Sequence, residues 1–172
     1  KGPGTAPRLF RCGPVPGVVV NYLHPDDLTY GSSGRSTCSP CLVRLSDGRL
    51  LASHDIYWAR GGQDLTKVFE SLDEGRTWRF VSDLRPCFWT RLFVHDGALH
   101  AMGTSTEYGA LLVYRSTDWG ATWSPPVTLI EAGSREQGGT LRTPLPIIIL
   151  RGRLWTSYDY GSFTIGHHDS GV

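Results

Sequence analysis

Three aspartates and a histidine carry most of the chemistry that this sequence offers. His54 and Asp55 follow the apolar run 50–53, and Asp64 lies in the polar, Gly-containing loop beyond them. Asp159, with Tyr160 after it, follows the segment 153–158. Two carboxyl groups flanking one bond can serve as general acid and base in its hydrolysis. Asp55 and Asp159 fall at equivalent points of different repeat units, so they fit that role, and Asp64 is the alternative acid. Each is equally at home as a loop cap or a solvated charge. His54 suits a general acid/base, a ligand or a satisfied structural histidine. A middle unit offers Thr104, Ser105 and Glu107, and Arg91 is a further possible ligand. Trp58, Trp89 and Trp155 are large faces, either for stacking on a substrate ring or for packing in a core.

The elements that must position these residues are set by a repeat. Ser71-Leu72-Asp73-Glu74-Gly75-Arg76-Thr77-Trp78 returns 45 residues later as Ser116-Thr117-Asp118-Trp119-Gly120-Ala121-Thr122-Trp123. Both read S-x-D-x-G-x-T-W. The carboxylate accepts bonds from nearby backbone N–H groups. Glycine takes a positive φ without a Cβ clash, and tryptophan re-enters a strand with an apolar face. A period of this length marks stacked units, four short strands per unit being the propeller case. The first unit reads as strands at 41–45, 49–53, 66–70 and 78–81, with a turn at 46–48. The second repeats them at 90–94, 98–102, 110–114 and 127–130, around a turn at 95–97. A third begins with 145–150 and 153–158 around Arg151-Gly152. Its own octapeptide is expected near 171–175, so the chain reads as a fragment. Residues 18–22 read as a closing strand of another unit inside an irregular segment, 1–37.

Composition agrees with an all-β chain. The 172 residues include 21 Gly and 11 Pro, and the net charge of +1 gives no pull towards nucleic acid or an anionic membrane. No apolar run approaches the roughly 18 residues of a membrane span. Cys12, Cys38, Cys41 and Cys87 read as scattered thiols rather than a disulfide pair or a metal site. Cys38 and Cys41, three apart in a strand, are expected on opposite faces. No metal and no cofactor is expected.

The octapeptides resemble the Asp-box of the sialidase (neuraminidase) family, over about residues 36–160. The resemblance implies part of a six-bladed β-propeller, about two and a half four-stranded antiparallel blades at 38–84, 88–131 and 142–172. It also implies that Ser71, Asp73, Gly75 and Trp78, with Ser116, Asp118, Gly120 and Trp123, are structural. The activity implied is that of a glycoside hydrolase, exo-acting on a terminal sugar that is acidic in sialidases. The partner is then a carbohydrate or glycoconjugate, and the setting secreted or periplasmic. Asp64 is the nearest match to the family's acid/base aspartate. The segment 36–52 is similar to the opening of the catalytic domain, but Cys38 stands where the family has the first of three carboxylate-binding arginines. Tyr57 stands where a second basic residue often follows. Arg35 or Arg60 are the nearest cations that would compensate. That departure leaves the fold intact and puts sialic acid in question. A non-catalytic propeller that binds a glycan or protein is the alternative.

Overall fold

The structure, a computed structural model, describes residues 17–23, 36–57, 63–133, 135–141 and 146–172. Among them the chain is all-β, and no helix is long and apolar enough to cross a membrane. Trp58, Arg35, Arg60 and Cys12 lie outside the described residues.

Two four-stranded antiparallel sheets form first. Strands β1 (Ser36–Arg44), β2 (Leu50–Tyr57), β3 (Thr66–Ser71) and β4 (Arg79–Leu84) lie in sequence order. Strands β5 (Phe88–His95), β6 (Ala98–Thr104), β7 (Leu111–Ser116) and β8 (Val127–Ile130) repeat that order. Alternation along each strand sends one face inward. Leu45, Leu51, Val68 and Leu84 of the first sheet therefore meet Leu92, Leu99, Ala101, Leu112 and Tyr114 of the second in one core. Tyr114 satisfies its hydroxyl by donating to the Pro86 carbonyl.

Both octapeptides make the same turn between the third and fourth strands. The Thr77 amide donates to Asp73 Oδ1 at 2.8 Å and its hydroxyl to Oδ2 at 2.6 Å. Thr122 does the same to Asp118, at 2.8 and 2.6 Å. These bonds, from threonine first and serine after, hold each carboxyl down to about 2. The serine hydroxyls accept from the Gly75 and Gly120 amides at 2.8 and 2.7 Å. The glycines adopt φ of 86° and 95°, and the residues before them, Glu74 and Trp119, are also left-handed. Ser82 on β4 donates to the Gly120 carbonyl and accepts from the Trp123 indole at 3.2 Å, tying the second turn to the first sheet.

The first strand of each sheet is bulged. The pairing slips between Cys38 and Cys41, and again between Phe88 and Arg91. The extra residue carries a positive φ each time, 52° at Ser39 and 51° at Trp89. The bulge changes the parity of the strand. Cys38 pairs with Asp55 and Cys41 with Ser53, so the two thiols share a face instead of opposing each other as a regular strand would require. They remain free, as does Cys87.

The third unit forms the expected hairpin around Arg151-Gly152 only in shortened form. β10 (Ile148–Leu150) pairs only with β11 (Arg153–Trp155), whereas β12 (Tyr158–Ser162) lies between β9 (Gly139–Leu141) and β13 (His167–Gly171). The pairing passes from Leu141↔Asp159 in one sheet to Ile148↔Trp155 in the other, with six residues between them on one side and three on the other. The expected strand at 18–22 is also absent. That segment rests on the outer face of the first sheet through Leu23, without a ladder.

Candidate functional site

Within each blade the strand register puts the candidate residues at the end away from the octapeptides. Asp55, Thr104 and Asp159 each stand seven residues beyond a positive-φ turn glycine, Gly48, Gly97 and Gly152. They pair with Cys38, Phe88 and Leu141. The octapeptide turns lie at the opposite end, since Leu50 pairs with Ser71 and Leu99 with Ser116.

Asp55 is 0% exposed, between the two sheets. Its Oδ1 accepts the Thr66 hydroxyl at 2.6 Å and its Oδ2 faces the Thr90 amide at 3.4 Å. The Trp89 amide and the Ser39 side chain lie near enough to favour its charged form. Behind Thr66, the Thr90 hydroxyl lies at 2.5 Å and the Cys87 thiol 2.9 Å from Thr90, so S–H and O–H donors can run in one chain towards the carboxylate. Burial pushes the Asp55 carboxyl up to about 7, against the pull of those hydrogen bonds. It also pushes the thiols of Cys38 and Cys87 up, to about 11 and about 12.

Asp64 precedes β3 and its side chain is 31% exposed. Its carbonyl accepts from the Cys87 amide at 2.8 Å. Oδ1 sits 3.4 Å from the Arg85 guanidinium, too misaligned for a hydrogen bond. Asp159 is half-buried and accepts the Ser170 hydroxyl at 2.6 Å. His54 faces away from this end. It accepts from the Asn21 amide at 2.9 Å, approaches the Asp55 carbonyl at 3.2 Å and stacks on Phe69. Burial lowers its pKa, which favours the neutral ring. Arg91 is half-buried, with a buried Nε that has no hydrogen-bond partner. Trp89 is half-buried against Phe88, ring centroids 5.0 Å apart. Trp155 is exposed on β11.

Two grooves flank the sheets. One of 820 Å³ lies between residues 18–23 and the outer face of the first sheet, and His54 lines it. One of 660 Å³ separates the second sheet from Trp155 and Leu154. Asp55, Asp64 and Asp159 line neither. Among the described residues no cluster of His, Cys, Asp and Glu has the form of a metal site.

Sequence reasoning missed one cluster at the same end. Arg135 lies over the Phe163 ring at 3.8 Å and 3.9 Å from Glu107. Tyr108 meets Phe163 edge-on and His168 at 3.4 Å. Glu107 is legible as the polar end of a strand. Its partners come from distant loops, and no local signal marks them.

No family model and no curated protein matches the chain. Solved structures do. An α-L-arabinanase of Penicillium chrysogenum, complexed with arabinobiose, is 21% identical over 72% of this chain and 41% of its own, with a TM-score of 0.56. An α-L-arabinofuranosidase from Fusarium graminearum, in complex with an iminosugar inhibitor, is 19% identical over 78% of this chain and 45% of its own, at 0.55. A Hadza microbial sialidase is 19% identical over 72% and 32%, at 0.51. The chain forms part of a sialidase-type β-propeller fold. It spans less than half the length of each of these propellers. The two four-stranded sheets are propeller blades, joined through the core between them. In a propeller scaffold the loops at an end of the blades are where function can be carried.

Proposed function

We propose that the chain is part of a glycoside hydrolase of the sialidase-like group, exo-acting on a terminal sugar. The observation that carries this reading is the fold shared with an arabinanase and a sialidase. In this reading the octapeptides are Asp-boxes and the Asp55 end is the sugar end. Asp64, on a loop with a half-buried carboxylate, is the acid/base. Asp159 is the second carboxylate and Trp89 and Arg91 are the candidate ligands, whereas His54, which lines the groove on the outer face, is left as a structural histidine. Asp55, the third acid candidate, has no surface with which to meet a substrate.

Cys38 bears on which sugar is cleaved. A thiol pushed up to about 11 is neutral at pH 7, so this position offers no cation to a sugar carboxylate. That favours a neutral terminal sugar over a sialic acid. It equally supports a second reading, a propeller that binds a glycan without cleaving it.

The test is turnover of aryl glycosides by the protein carrying this chain, on a panel that includes an α-L-arabinofuranoside and a sialoside. Hydrolysis should fall by about 10²- to 10⁴-fold in Asp64→Asn. Saturable sugar binding without hydrolysis would replace the enzyme reading with the binding one.

A further inference from the structure

A tryptophan with positive φ is an outlier that surrounding structure must hold in place. Trp89 has φ 51° at the bulge that opens β5. What holds it is on the neighbouring blade. The Asp55 carboxyl accepts from the Thr90 amide next to that bulge at 3.4 Å, and the Trp89 amide and the Ser39 side chain of the equivalent bulge in β1 lie near enough to favour its charged form. Asp55 is itself fixed from behind by Thr66 at 2.6 Å. Gly103, opposite the bulge, leaves room for it: a Cβ there would lie 2.7 Å from the Phe88 carbonyl and 2.9 Å from Thr90 Oγ1. The strand start so shaped also receives the Asp64 carbonyl, on Cys87 two residues before Trp89.

We propose that Asp55 is a positioning residue, gripping the two bulges so that the half-buried Trp89 indole stands beside Asp64 as a stacking face for a sugar ring. This rests on the reading of that end as the sugar end. The grip depends on charge. Ionised Asp55 accepts from the Thr90 amide and from Thr66. Protonated Asp55 turns one oxygen into a donor and gives up part of that set. The other titratable groups facing it are the thiols of Cys38 on β1 and Cys87 before β5, both neutral through this range. The Trp89 contribution to fluorescence, obtained by difference from Trp89→Phe, should therefore titrate near neutral pH in the absence of sugar.

The experiment pairs that titration with binding of arabinobiose and of sialyllactose, followed by fluorescence. Trp89→Ala should weaken sugar binding about 5- to 10-fold. Asp55→Ala should weaken it as much without touching sugar. Asp55→Asn, which like the protonated carboxyl keeps one acceptor and one donor, should hold the Trp89 signal at its low-pH level and abolish the pH response. Thr66→Val, which removes a donor to the ionised form, should move the midpoint upward and decides the matter if Asp55→Ala does not fold. A Trp89 signal indifferent to pH, or a response unchanged in Asp55→Asn, overturns the proposal. A titration that behaves as described in a protein that binds neither sugar keeps the grip and overturns both the stacking role and the carbohydrate reading.

Discussion

A carboxyl group sealed between two sheets takes up its proton at a pH where the unfolded chain has lost its own. For Asp55 the folded value is about 7, against an ordinary aspartate range near 4. Between those limits the folded state retains a proton that the unfolded state releases. Stability therefore falls as pH rises from about 4 to about 7 and levels off above. Asp55→Asn removes this dependence. Urea unfolding should show the wild type losing up to about 4 kcal/mol relative to the variant across that window. A parallel pair of curves would mean that the burial cost of the charge is met by its hydrogen bonds. The two octapeptide aspartates behave oppositely, held ionised by threonine and serine donors.

At the scale of the element, the bulges decide which side chains meet. Gly103 is where two backbones approach most closely around the buried polar group, and Gly103→Ala should cost about 1–3 kcal/mol in urea midpoint analysis. A cost near zero would mean that the β5 bulge yields easily. The octapeptides are legible in the sequence because every bond that makes the turn is local: Asp73 to Thr77, Ser71 to Gly75. The Asp-Gly hairpins are legible for the same reason. The bulges are not, because Trp89 and Ser39 are held by Asp55, and neither its burial nor its register shows in local spacing. The third unit is obscured in the same way. A run such as 153–158 reads as one strand, while its two halves pair with segments on either side of an unequal gap. The parity of Cys38 and Cys41 follows from the bulge alone.

For the molecule as a whole, apolar surface is unevenly covered. The two blades share a sealed core, whereas the β10–β11 hairpin presents Ile148, Ile149 and Leu150 to solvent, Ile149 at 62% exposure. Such a patch promotes association. In solutions of this 172-residue chain, Ile149→Lys should lower concentration-dependent light scattering and leave the melting temperature within a degree or two. Scattering that stays the same would locate association elsewhere, with the open edge of β8 the next place to look. The separation of the two ends has a practical side. β3 runs from Thr66, beside Asp55, to Ser71, which opens the first octapeptide, a span of about 17 Å. The exposed carboxylate side of Glu74 therefore projects from the far rim. A chip surface, fluorophore or resin attached there would leave the opposite mouth unobstructed, so immobilised protein should meet ligands as freely as protein in solution.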